Sequence, residues 1–455
     1  MGHVRKSLGF AATVLAGAAL LYVALAVVNG TLAAVKRSSA TPPRGVVADA
    51  QNARNSRAMF LQGRRTFRFD TFGDEAFWGN ALQLHRAIAG ARNGGVGGGV
   101  SPKTALAVGL KVDASAIPRP VAGAIKAGKV NLDDPKTTLT LLKLNAVVGV
   151  KGFFGRNGRL SSMGITCALC HSTVDNSFAP GIGRRLDGWP NQDLDVGKII
   201  SLAANKKPLT DLLGVNEATV DKVVTSWGPG EFDASLSLDG QGFRPDGKPA
   251  STRIPPAFGL AGVNLATYTG WGTVTYWNAF VANLEMHGIG NFTDERLANQ
   301  NQFPVAAKAG FAKVRNRRDR ISSKLPALHY YQLSIPAPRP PRRSFNAAAA
   351  RRGKAIFNAP GKCATCHVPP TFSEPGWNLH SPREMCTDAF QASRSPTFRY
   401  RTTPLRGMFA KSKRGFWHDG RFRTLDAVVD HYNECFNLRL SPSQKRDLVQ
   451  YVKSL

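Results

Sequence analysis

Hydrophobic and polar positions divide this chain of 455 residues into stretches of different character. The first carries no charge between Lys6 and Lys36, and its centre, Leu8 to Val28, is nearly all apolar. Such a run is long enough to cross a bilayer and long for the apolar part of a signal peptide. Arg5 and Lys6 keep that flank in the cytoplasm and place the body of the chain in the periplasm. Two readings of residues 1–36 stand: an uncleaved inner-membrane anchor, which the length favours, and a signal cleaved near Leu32-Ala33-Ala34. Residues 37–60 are polar, carry Pro42-Pro43 and read as a tether.

Beyond the tether the pattern turns helical. Phe67, Phe69, Phe72, Phe77 and Trp78 give a stretch dense enough in aromatic rings to pack on a large apolar object or a core. Phe77, Leu82, Leu84 and Ile88 predict a helix that carries His85. Asp133-Asp134-Pro135 opens another, with Leu139, Leu142 and Val147 on one side. Val196 to Ala204 and Glu217 to Trp227 follow, the second stopped by Gly228-Pro229-Gly230. Tyr268 to Phe292 reads as helix plus loop. The proline-rich residues 334–343 form a stiff extended linker and the clearest boundary. It divides an N-terminal domain, 61–333, from a C-terminal one, 344–455. There Ser344 caps a helix running from Ala347 to Phe357. Gly353 and Phe357 share a face of it, and glycine lets another helix come close. The last helix opens on the capping box Ser441-Pro442-Ser443-Gln444 and turns Leu448, Val452 and Leu455 to one side. The prediction is a mainly α fold with few strands.

Composition adds two points. The 45 glycines and 28 prolines imply long irregular connections. One glycine run, Gly94 to Gly99, fits neither a dinucleotide nor a phosphate loop and reads as a flexible turn. A net charge of +30 implies attraction to an anionic membrane surface or an acidic redox partner. The basic residues are dispersed, which argues against nucleic acid.

The chemistry is carried by two copies of C-x-x-C-H, Cys167-Ala168-Leu169-Cys170-His171 and Cys363-Ala364-Thr365-Cys366-His367. This is the attachment signature of c-type haem: two thiols add to the haem vinyl groups and the histidine ligates the iron. With six cysteines and nine histidines in the chain, two chance occurrences are very rare. A zinc site built from both cysteine pairs, or two thioredoxin-type redox pairs, leaves His171 and His367 unexplained. Two covalent haems, each with its iron, are therefore expected, in a compartment where such attachment takes place. Cys386 and Cys435 lie outside both motifs and, in an oxidising compartment, predict a disulfide. Trp189, in the loop after the first motif, is a candidate haem neighbour. Trp277 to His287 is the stretch expected to line the first haem pocket.

After the second motif come Thr403-Pro404-Leu405-Arg406-Gly407, Phe416-Trp417-His418-Asp419-Gly420-Arg421-Phe422 and Thr424-Leu425-Asp426-Ala427-Val428-Val429-Asp430-His431-Tyr432. In this order they resemble the bacterial di-haem cytochrome c peroxidase and MauG family over roughly the last hundred residues. Gly407 and Phe416 depart from the family pattern, and the N-terminal domain matches only through its haem motif. The resemblance implies a cytochrome c-like C-terminal fold. It also implies that the residue eight past Thr424, here Tyr432, is the sixth ligand of haem two. Leu425, Val428, Val429 and Tyr432 share a helix face, which turns Tyr432 inward. Met408 is its rival, with Met385 behind. Arg401, Arg406 and Arg421 are candidates to neutralise haem propionates, and His418 to bond one or to order its turn. Calcium between the domains is allowed by the same resemblance.

The implied function is a periplasmic di-haem redox enzyme, peroxidase- or MauG-like. Haem one would react with peroxide or dioxygen and haem two would transfer electrons, with Trp189 or Trp277 between them. Glu285 and His287 are the candidate catalytic acid–base residues. The alternative is a membrane-tethered electron-transfer cytochrome with no substrate. For the distal side of haem one, His85, His287 and His329 are available. An acidic periplasmic electron donor or acceptor is the expected partner.

Overall fold

The computed structural model describes residues 44–374 and 376–455. The predicted anchor over 1–36 lies outside them. Among the described residues no helix is long and apolar enough to cross a membrane. The chain forms two compact units, Met1–Arg57 and Ala58–Leu455. The first contributes to the description only the start of a helix, Arg44–Phe69. Of the stretch 37–60 read as a tether, the described part is helical, from Arg44 onward. The segment is polar, but Ala48, Ala50, Ala53 and Ala58 with Arg44, Arg54 and Arg57 favour helix, and it lacks proline beyond Pro43.

The second unit is mostly short helices joined by long turns. Among the described residues, strands occur as five two-stranded ladders. The longest pairs Val150–Phe154 with Leu160–Ile165, antiparallel, and delivers the chain directly into the first haem motif. All five precede the linker. After it, the described residues hold only isolated bridges, His380 with Tyr400 and Phe416 with Phe422. Pairs two to six residues long carry too little alternation to stand out in the sequence.

Helix starts follow their caps. Asp134 accepts from the Lys136 amide at the head of Pro135–Lys143. Asn216 caps Glu217–Ser226. In the C-terminal part the cap of Ala347–Asn358 is Asn346, whose side chain accepts from the Ala349 amide. Ser344, expected in that role, instead donates to the Pro341 carbonyl at 2.8 Å. The last helix, Pro442–Lys453, has the full capping box between Ser441 and Gln444.

The two C-terminal helices cross at Gly353, where a Cβ would stand 2.0 Å from the Asp447 carbonyl oxygen. Phe357, Leu448, Tyr451 and Val452 join Met408 in one core beside the second motif. A disulfide links Cys386 and Cys435, Cα atoms 5.9 Å apart. It ties the loop beyond this motif to the end of the helix Leu425–Cys435, on which Tyr432 stands.

Buried polar contacts join the two motif-bearing parts of the unit. The Arg394 side chain, 0% exposed, lies 3.0 Å from Asp233 and 2.6 Å from Asp239. Gln192 donates to the Ala410 carbonyl at 2.7 Å.

Candidate haem sites

The first motif forms one short helical turn, Ala168–His171, at the end of the Val150–Ile165 hairpin. It opens on a cavity of about 310 Å³ lined by Cys167, Cys170 and His171. His171 Nδ1 lies 3.0 Å from the Pro255 carbonyl oxygen. A carbonyl only accepts, so Nδ1 carries the hydrogen and Nε2 keeps the lone pair that a metal takes. Burial holds this ring well below the usual range, at about 4, and therefore neutral. Glu285, Trp277 and Trp78 line the same cavity. Burial, with the Asp233 charge adding to it, pushes Glu285 well above the ordinary carboxylate range, and Ser237 donates to its Oε1 at 3.3 Å.

The second motif repeats the arrangement. Cys363, Cys366 and His367 line a cavity of about 560 Å³. His367 Nδ1 lies 2.9 Å from the Phe372 carbonyl, which again leaves Nε2 as the free lone pair. Tyr432, Met408 and Met385 all line this cavity. Met408 packs in the apolar core with Phe357 and Leu448. The Tyr432 ring lies 5.6 Å from Trp417 and stacks on Phe436 at 5.7 Å. Burial raises its phenol above the ordinary range.

The cavities share a wall. Arg253 to Pro256, Tyr268 and Arg401 line both. The wall reaches each site directly: the Arg253 amide donates to the His418 carbonyl at 2.8 Å, and the Pro255 carbonyl accepts from His171 Nδ1–H.

A c-type haem fits these residues. Each cavity has a pair of thiols and an imidazole turned so that Nε2 is available. The first has buried polar atoms with no protein partner on Trp271, Trp277, Asn278, Gln332 and Gln391. The second has one on His418 Nε2, and Arg253 Nε and Arg401 Nε, on residues lining both cavities, are also without partners. Buried polar groups without partners are rare unless something else occupies the site. The rival readings fit less well. The cysteine pairs open on different cavities, so they do not make one zinc site. Burial raises the Cys167 and Cys170 thiols to about 12 and Cys363 to about 11, away from the low-pKa thiolate of a reactive redox pair.

Other predicted residues are placed as follows. His287 lines neither cavity; its ring stacks on Phe77 at 3.7 Å. His85 bonds the Gly79 carbonyl through Nδ1 at 2.7 Å, and His329 bonds Thr275 at 2.8 Å. Trp189 lines neither cavity and packs on Phe409 and Phe258, 5.4 and 6.4 Å away. Arg401 and Arg406 reach the second cavity, whereas Arg421 is held by Asp419 at 2.7 Å and by Asp388. Calcium is not supported. Among the described residues the side-chain clusters with metal-ligand spacing are Cys366, Glu374 and His380, and Asp388, His418 and Asp419. Neither is the oxygen cage that calcium takes, and Arg421 already neutralises the second. The shared wall, Arg253, Pro255 and Tyr268, and the side chains of Gln391 and Arg394 in the first cavity were not legible beforehand, because no local motif marks them.

Two such sites define a class, proteins with paired c-type haem attachment. No family model matches the chain. Over 242 residues it is 25% identical to the methylamine utilization protein MauG of Methylorubrum extorquens, a match covering 46% of this chain and 65% of that protein. The chain thus spans just under two thirds of that relative's length. The likeness to the MauG and di-haem peroxidase family, read above from the C-terminal motifs, also appears in this comparison. Among solved structures, the diheme peroxidase BthA from Burkholderia thailandensis is 17% identical, covers 50% of this chain and 78% of its own, and has a TM-score of 0.30. Hydrazine synthase of Kuenenia stuttgartiensis is 20% identical, covers 45% and 72%, and has a TM-score of 0.27. Scores this low do not define a shared fold.

Proposed function

We propose that the chain is a periplasmic di-haem c-type redox enzyme of the peroxidase or MauG kind, with haem one as the site of peroxide or dioxygen chemistry and haem two as the electron-transfer site. The observation that carries the reading is Glu285. A fully buried carboxyl group, whose burial raises it well above the ordinary carboxylate range, lines the cavity that His171 also lines. A cytochrome that only relays electrons has no use for a proton donor there.

Cys167, Cys170 and His171 would hold one haem, and Cys363, Cys366 and His367 the other. A bound haem supplies an iron that binds oxygen species and exchanges electrons. The rest belongs to the chain. Pro255 and Phe372 orient the two imidazoles by accepting from Nδ1–H. Glu285, its Oε1 accepting from Ser237 and its carboxyl raised by burial, is the general acid–base candidate for a bound oxygen. The Trp271, Trp277 and Asn278 N–H groups are donors without partners in the same cavity. His287, stacked on Phe77 away from the cavity, is left with a packing role. Tyr432, which lines the second cavity, would be the residue that holds haem two opposite His367, while Met408 is engaged in the core. Tyr268 is the aromatic ring common to both cavities and takes the inter-haem place first considered for Trp189 or Trp277.

The same reading divides the chain into a haem domain over 61–333 and another over 344–455 behind an N-terminal anchor, and gives it an acidic electron-transfer partner. It is tested by haem content and by peroxide turnover with a reduced electron donor. Two haems per chain and donor oxidation that stops on Glu285→Gln support it. Two haems with no peroxide consumption under any donor leave the relay cytochrome.

A further inference from the structure

The wall between the cavities carries two buried arginines with no direct ion pair among the described residues; Glu231 acts on Arg253 only at longer range. Arg253 is 4% exposed and lines both cavities. Its Nη2 donates to Gln192 Oε1 at 2.7 Å and to the Lys411 carbonyl at 3.0 Å, but its Nε has no partner. Arg401 also lines both cavities; it spends Nη1 on the Leu265 carbonyl at 2.6 Å, and its Nε is likewise unpartnered. Among the described residues neither guanidinium is within ion-pair distance of a carboxylate, and the group coupled to both is the uncharged Tyr268. An unpaired guanidinium inside a protein is costly, and its planar fork matches carboxylates. Burial lowers Arg401 to about 10, the direction expected of a cation without its anion.

We propose that Arg253 and Arg401 form a single carboxylate-binding site shared by the two cofactors, receiving propionate carboxylates from both cavities and tying their electrostatics together. This rests on the reading that each cavity holds a c-type haem. A positive charge near a haem favours its reduced form. Removing a shared charge therefore moves both haems. Removing Arg406, which lines the second cavity and not the first, moves one.

The test is spectroelectrochemical titration of the haem-loaded full chain and its variants, after haem content is measured. Arg253→Gln and Arg401→Gln are each expected to lower both midpoint potentials, and Arg406→Gln to lower that of haem two alone. Arg401→Lys keeps the charge without the fork and shifts both in the same direction by less. It serves if the glutamine variants fail to fold. Variants at Arg253 or Arg401 that move only one haem, or neither, overturn the inference while leaving the two-haem reading intact. A chain that takes up a single haem overturns both.

Discussion

Replacing Arg394 by methionine tests how the two motif-bearing parts hold each other. The arginine side chain has no exposed surface. Nε lies 2.6 Å from Asp239, Nη1 lies 3.0 Å from Asp233, and the Ala250 and Gln241 carbonyls accept at 2.9 and 3.1 Å. Methionine removes the charge and leaves two buried carboxylates facing each other. Breaking a buried ion pair from one side costs about 3–5 kcal/mol. The loss should depend on pH. Burial raises Asp233 to about 6 even beside Arg394. A carboxyl with its folded pKa above its unfolded one binds more protons when folded. Stability therefore falls as pH rises from near 4 towards 6 and then levels. Without Arg394 the folded pKa moves higher and the fall continues past 6. Urea midpoints of the haem-loaded protein, read by far-UV circular dichroism, should show a smaller deficit at pH 5 than at pH 8. Equal deficits at the two pH values, or a loss below about 1 kcal/mol at pH 8, would refute the reasoning.

Three further outcomes follow from named contacts. Gly353→Leu should destabilise by about 3 kcal/mol, the upper end for overpacking, because the atoms it meets are the Asp447 backbone; an unchanged melting temperature would contradict the helix crossing. Cys386→Ser with Cys435→Ser opens a loop between residues 49 apart and should cost about 4 kcal/mol by loop entropy; denaturation with and without reductant checks it, and the double variant should no longer respond to reductant. Glu285→Gln should slow peroxide reaction by about 10²–10⁴-fold with haem absorbance retained; stopped-flow rates within threefold of the parent would remove Glu285 from the chemistry.

What the sequence revealed was chemistry carried by neighbours along the chain. C-x-x-C-H, the capping box at Ser441, the Gly353 face and the inward Tyr432 are all local, and local patterns survive without a fold. The Arg44–Phe69 helix is hard to see in the sequence because Pro42-Pro43 and polar content mask its helix propensity. The cavity walls were hidden for a different reason. Arg253, Tyr268 and Arg401 become a wall only when residues more than a hundred positions apart meet, and no spacing announces that. Trp189 shows the converse: a tryptophan in the loop after a haem motif looked like a cofactor neighbour, yet its ring packs on Phe258 and Phe409.

The central claim, that haem one is a reaction site and haem two a ligated partner, is tested most directly by the EPR spectrum of the fully oxidised, haem-loaded chain. The account predicts a high-spin ferric signal from haem one, altered by added peroxide, beside a low-spin signal from haem two that changes on Tyr432→Phe. Two low-spin signals alone, both indifferent to peroxide, would contradict it and leave an electron-transfer cytochrome.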